Sequence, residues 1–263
     1  VEPHQKGTRH LIDAPSPNHD ARPEGAAIDT LVLHYTGMQS GEVAIARLRD
    51  PEAKVSSHYV VEEDGRVFCL VPEERRAWHA GLSWWRGRPM LNDRSVGIEI
   101  VNPGHEWGYR DFPPAQIAAV ITLCQGILSR HGIAARNVVA HSDIAPERKQ
   151  DPGERFPWAA LAEAGIGLWP GPAPEEARML PPLSIGDEGA GVRSLRATLR
   201  RLGFRVAEDG AFDRGLAITV TAFQRHWAQH RIDGVADGET RWRAGRVLGL
   251  AEGRVRHPQA RLA

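Results

Sequence analysis

Three side chains in two short segments have the right types to hold a hydrolytic metal ion. His34 lies in LVLHYTG, and His141, Lys149 and Asp151 lie in HSDIAPERKQDPG, residues 141–153. Pro146, Pro152 and Gly153 punctuate the second segment, which predicts an ordered loop rather than a helix or strand. Two imidazoles and a carboxylate match a catalytic zinc, which takes three nitrogen or oxygen ligands and leaves a fourth position to water. Lys149, two residues before Asp151, would meet negative charge developing on a substrate oxygen. Glu99, between Ile98 and Ile100, is a candidate general base. In a cleft, partial burial lifts a carboxyl toward the working pH; at a sheet edge the same residue only faces solvent. Residue types alone leave both readings open. A lone strand histidine also fits a hydrogen-bonded core, and the long spacing lacks the specificity of a Cys-x-x-Cys pair.

The elements that must position these residues are legible in the pattern. DTLVLHYTG (29–37) is a β-branched apolar run, predicting a buried strand with His34 near its C-terminal end. VSSHYVVEEDGRVFCLV (55–71) predicts a hairpin about Glu63-Asp64-Gly65. In SVGIEIVN (95–102), Val96, Ile98 and Ile100 share one face and Glu99 points from the other. Pro113-Pro114 opens a helix that Gly132 closes, and VVAHSD (138–143) predicts a short strand feeding the loop. This order predicts an α/β domain, a central mixed β-sheet flanked by helices. Trp78, Trp84 and Trp85 cluster near His79 in a Gly-rich stretch, either as buried packing or as a wall for sugar rings. The run Glu73-Glu74-Arg75-Arg76 reads as solvated surface.

Residues 167–182 hold five prolines and two glycines, predicting a semi-extended linker between a domain at 1–166 and another at 183–263. In the second, Val192, Leu195, Leu199 and Leu202 have helical spacing, as do Ile218, Ala222, Phe223 and Trp227. A third turn and short helix follow, predicting a small all-α, three-helix C-terminal domain.

Lys and Arg total 33, as do Asp and Glu, which argues against a general nucleic-acid binder. Residues 183–263 carry 14 Arg, no Lys and nine acids, a net +5 that the rest balances at −5. Cys69 and Cys124 lack metal-type spacing; Cys124 falls on an apolar helix face and reads as a buried thiol. No stretch approaches the ~20 apolar residues of a membrane span.

LVLHYTG, SSHYVV, AWHAG, SVGIEIVN and HSDIAPERKQDPG occur in an order that resembles the zinc-dependent N-acetylmuramoyl-L-alanine amidases of the type-2 class, related to the peptidoglycan recognition proteins. The likeness covers roughly residues 10–165. It implies one Zn2+ held by His34, His141 and Asp151, with Glu99 as catalytic carboxylate and Lys149 as cationic stabiliser. Tyr35, His58, Trp78, His79 and Asn92 are the candidate substrate contacts. The implied reaction is hydrolysis of the amide between the lactyl group of N-acetylmuramic acid and L-alanine of the stem peptide. IGDEGAGVRSLRATLRRLGF and DGAFDRGLAITVTAFQRHW resemble the peptidoglycan-binding domain 1 type, though Gly215-Leu216 stands where members often carry Gly, Pro or Glu before Thr. The implied partners are peptidoglycan or muropeptides, with no nucleic acid, and the chain is expected to be a monomer. The tail favours the cell envelope, with cytoplasmic muropeptide recycling as the alternative. Two other readings stand beside it: a recognition protein of the same fold that binds muropeptides without cleaving them, though such proteins typically lack the complete ligand set present here, and a zinc endopeptidase cutting within the stem.

Overall fold

A computed structural model describes residues 11–255; positions 1–10 and 256–263, the outer ends of the two expected domains, lie outside the described residues. The strands are β1 (Ile12–Asp13), β2 (His19–Ala21), β3 (Thr30–Tyr35), β4 (Tyr59–Val61), β5 (Val67–Cys69), β6 (Arg75–Ala77), β7 (Trp84–Trp85), β8 (Arg88–Pro89), β9 (Ser95–Ile100) and β10 (Val138–Ala140). The α-helices are α1 (Gly41–Arg49), α2 (Gly104–Trp107), α3 (Pro114–His131), α4 (His141–Ile144), α5 (Trp158–Glu163), α6 (Glu175–Arg178), α7 (Ala190–Leu202), α8 (Arg214–Trp227) and α9 (Gly238–Ala251).

Six strands form the central sheet in the order β1-β5-β4-β9-β3-β10. The β4–β5 hairpin is antiparallel and the other pairings are parallel, so the sheet is mixed. Its three-strand heart, β9-β3-β10, is parallel and nearly wholly buried, which is why these strands are rich in Val, Ile and Leu. Alternation decides what each face meets. Leu31, Leu33, Val96, Ile98 and Ile100 pack with Val120, Cys124 and Ile127 of α3. Pro114 starts that helix at its first position, and Gly132 ends it in the left-handed region at φ 64°. Both cysteines are free, and Cys124 is buried as expected.

The opposite face carries Val32 and Val139. These join Ala80, Trp85, Leu91 and Ile144 in one apolar cluster with Leu195 and Leu199 of α7, Phe223 and Trp227 of α8, and Val247 of α9. The three-helix unit is therefore not held at a distance. Residues 167–182 are anchored to the helical unit at several points. Trp227 Nε1–H donates to Leu168 O at 2.9 Å, the Arg243 guanidinium lies over the Trp169 ring, and Arg178 pairs with Glu239 at 3.0 Å. Prolines stiffen the segment, while its Leu168 and Trp169 side chains find an apolar seat. In α8 the buried line runs through Leu216, Val220, Phe223 and Trp227, with Ile218 only half-buried.

Two local expectations differ from the structure. The strand expected over 138–143 stops at Ala140, and residues 141–144 form a helical turn. Asp143 Oδ2 accepts the Ala140 N–H at 2.8 Å, which turns the chain at that point. Glu73 and Arg76 are not free surface, while Glu74 stays exposed. Glu73 accepts hydrogen bonds from Tyr59, Arg130 and His131, and Arg76 pairs with Asp20 and Asp93. Trp85 is buried edge-on to Phe204 where the two helical and sheet units meet, and Trp84 lies under Arg205 there.

Candidate metal centre and active site

His34 and Glu99 are direct neighbours on the parallel strands β3 and β9, and His141 begins the turn that follows β10. All three emerge at the C-terminal ends of adjacent parallel strands, where open α/β sheets place ligands. Asp151 is brought in by the loop: Ser142 N–H donates to its backbone carbonyl at 3.0 Å. His34 Nδ1, His141 Nδ1 and Asp151 Oδ2 form a triangle with sides of 2.9, 3.0 and 3.1 Å, and all three residues are buried.

The surroundings assign the protons on these rings. Ser95 Oγ–H donates to Leu91 O at 2.6 Å and so accepts from His79 Nε2–H at 3.1 Å. His79 Nδ1 is then the acceptor for His34 Nε2–H at 3.0 Å. His141 Nε2–H donates to Ala80 O at 3.2 Å. Both the His34 and the His141 ring thus keep their proton on Nε2 and turn a bare Nδ1 lone pair toward Asp151. Three lone pairs facing one another with no proton between them suit a cation and little else. Burial, reinforced by the neighbouring His141, lowers His34 to about 4, and burial takes His79 well below its usual value. Neutral imidazoles are the form a metal takes. Gly97 leaves room for this arrangement, since a Cβ there would meet the His79 ring at 2.5 Å.

A cleft of about 400 Å3 opens over the triangle. Glu99 lines it, with Oε2 buried and lacking a hydrogen-bond partner. Burial first, then the Asp151 charge, push its carboxyl well above the usual range, against the pull of Lys149. Lys149, Tyr35, Trp78 and His79 line the same cleft. Tyr35 Oη meets His105 Nδ1 at 3.0 Å, and His105 Nε2 meets Glu154 at 3.2 Å. Burial raises the Tyr35 phenol to about 12.

His58 and Asn92 lie behind this wall. His58 is buried, with Nδ1 accepting from Gly97 N–H at 3.0 Å and Nε2 meeting Arg75 O at 3.1 Å. Asn92 Oδ1 accepts from the backbone N–H groups of His79 and Ala80, and so shapes the loop that bonds both ligand rings. Sequence reasoning passed over Ser95, His105 and Arg148. Arg148 Nη2 donates to Ala80 O and Leu82 O at 2.6 Å each, clamping the ligand loop to the wall opposite. None carries a local signal, because each acts through a partner distant in the chain.

Comparison with known proteins agrees with this geometry. The family described as N-acetylmuramoyl-L-alanine amidase matches residues 24–154, and the putative peptidoglycan binding domain matches residues 188–242. The N-acetylmuramoyl-L-alanine amidase AmiD of Escherichia coli K12 is 38% identical over 253 residues, covering 89% of this chain and 88% of the relative. The chain belongs to the N-acetylmuramoyl-L-alanine amidase family.

This amidase also matches 1,6-anhydro-N-acetylmuramyl-L-alanine amidase AmpD of Enterobacter cloacae, 36% identical over 169 residues, covering 57% of this chain and 88% of the relative. Among solved structures, AmiD from E. coli in complex with the substrate anhydro-N-acetylmuramic acid-L-Ala-D-gamma-Glu-L-Lys superimposes with a TM-score of 0.72 at 39% identity, covering 86% of this chain and 91% of that one. AmpDH3 from Pseudomonas aeruginosa in complex with anhydromuramic pentapeptide gives 0.71 at 33% identity, covering 85% and 92%. The matched amidase region of this chain contains every residue of the triangle and Glu99 and Lys149.

Proposed function

We propose that this amidase is a zinc enzyme in which His34 Nδ1, His141 Nδ1 and Asp151 Oδ2 hold the ion, and that its substrates are muropeptides and peptidoglycan strands. The observation that carries the reading is the triangle of bare lone pairs beside a buried, unpartnered carboxyl. When bound, zinc supplies Lewis acidity, acidifying a water in its open position and polarising the carbonyl it faces.

The chain's own residues do the rest. Glu99 Oε2, free of other partners, takes the proton from the attacking water. It then delivers that proton to the nitrogen of the departing L-alanine. Its upward-shifted affinity for protons suits both steps, since the group must accept and release within one turnover. The Lys149 ammonium faces negative charge as it builds on the carbonyl oxygen. Tyr35, Trp78 and His79 wall the cleft, and Tyr35 is held by its bond to His105. The bond that breaks joins the lactyl carbonyl to the L-alanine nitrogen, and no covalent enzyme intermediate is required.

Residues 1–166 form the catalytic domain and 183–263 the wall-binding domain in this proposal, acting as one monomer at the cell envelope. Among the described residues no helix is long and apolar enough to cross a membrane. AmiD and AmpDH3 were solved with anhydromuramyl peptides, which makes such peptides the first substrates to try. Mass spectrometry of digested muropeptides tests the reading. Free lactyl-sugar ends and intact stem peptides are expected; peptides cut within the stem would point to an endopeptidase instead.

A further inference from the structure

The turn that presents His141 is held by a residue of the C-terminal unit. Asp143 is buried, and its Oδ2 accepts two hydrogen bonds, from Ala140 N–H at 2.8 Å and from His226 Nδ1–H at 2.7 Å. Ala140 directly precedes the ligand and Asp143 follows it by two residues, so one carboxylate oxygen ties both sides of His141. The same turn donates Ser142 N–H to Asp151 O, which couples it to a second ligand. His226 stands at the last turn of α8, its ring stacked between Trp158 at 3.7 Å and Trp227 at 3.6 Å. Both His226 and Asp143 are about 1% exposed, so water has no room to replace a lost partner. Close by, Gln229 Nε2–H donates to Phe156 O at 2.7 Å, pinning the segment that follows Asp151.

We infer that His226 is a positioning residue for the metal centre: through Asp143 it fixes the turn that carries His141, so zinc affinity depends on the C-terminal unit. This rests on the zinc reading proposed above. Residues behind metal ligands that orient them are worth about 10- to 100-fold in affinity when they bond a ligand directly. His226 acts one bond further out, so the lower end of that range applies.

The test uses the full-length chain, stripped of metal and titrated with zinc against a chromophoric chelator, with the visible spectrum of the Co2+ form as a readout of ligand geometry. His226→Leu keeps apolar bulk but donates nothing, and should lose roughly tenfold in zinc affinity with an altered cobalt spectrum. His226→Asn, whose amide N–H can still reach Asp143, should recover to within about threefold of wild type. Leu199→Ala weakens the same apolar cluster without touching Asp143 and should leave affinity and spectrum unchanged. If His226→Leu does not fold, Asp143→Asn carries the test. Its amide cannot accept from both donors on one oxygen without turning an N–H toward other groups, and affinity should fall by about threefold or more. Wild-type affinity in His226→Leu or Asp143→Asn, or an equal loss in Leu199→Ala, would overturn the inference. A wild-type chain that takes up neither zinc nor cobalt would overturn the metal centre itself, and the inference with it.

Discussion

Cutting the chain after Pro170 should cripple the catalytic half, although five prolines at 167–182 invite the view that it folds alone. Removing α7, α8 and α9 uncovers one side of Trp85, Leu91, Val139 and Ile144, all of which share a cluster with Leu195, Leu199, Phe223 and Trp227. Wholly burying a large apolar side chain is worth about 1.5–3 kcal/mol, and if half of that burial comes from the missing unit, the loss is roughly 3–6 kcal/mol. A domain of ordinary stability has only about 5–15 kcal/mol in total. At roughly 2–4 °C per kcal/mol for this size, Tm should fall by about 6–24 °C, or the fragment should aggregate through the exposed patch. Differential scanning fluorimetry and size-exclusion chromatography, full-length against residues 1–170, provide the readouts. A monomeric fragment melting within about 2 °C of the full chain would refute the shared-core argument.

Glu99→Gln keeps the shape of the side chain but cannot accept a proton; zinc should remain while turnover falls by roughly 10²-fold or more. Lys149→Ala should also retain zinc and lose a comparable factor, about 10²-fold, through the charge it no longer offers. Normal turnover in Glu99→Gln would send the search to another base. Glu73 provides a pH test. Burial would raise its carboxyl, but hydrogen bonds from Arg130, Tyr59 and His131 hold it at about 2. A carboxyl depressed in the folded state stabilises fully above its unfolded value near 4.5 and loses that contribution as pH falls toward 2. Discounted for partial exposure, the contribution is about 1–2 kcal/mol. The Tm gap between wild type and Glu73→Gln should therefore shrink between pH 4.5 and pH 2; a gap constant across that window would show that Glu73 acts by packing alone.

What was legible in the sequence follows from how local each signal is. Val96, Ile98 and Ile100 announce their strand because every second residue meets α3, and the same alternation puts Glu99 on the other face beside His34. Pro114 and Gly132 mark the ends of α3 through their own backbone preferences. The proposed metal ligands could be named only by the order of several motifs together, since His34 and His141 meet across 107 positions. The end of the strand at Ala140 was not legible, because the carboxylate that turns the chain is itself anchored by His226, 83 residues on. Linker prolines were visible, but not the seat that Leu168 and Trp169 find on the helical unit. His58 is the same residue type as the cleft-lining His79, and Asn92 is no less polar. What separates them is whether a backbone partner already claims the polar atom, and only the folded chain decides that.

The central claim is that His34, His141 and Asp151 form the zinc site of this amidase, and metal content measures it most directly. Inductively coupled plasma mass spectrometry on purified wild type and Asp151→Ala, each normalised to protein, is the measurement. About one zinc per chain is expected in wild type, since three protein ligands make a single catalytic site. Asp151→Ala removes the carboxylate and leaves two imidazoles, so zinc should be lost on dialysis together with amidase activity. Full zinc occupancy and normal turnover in Asp151→Ala would contradict the account.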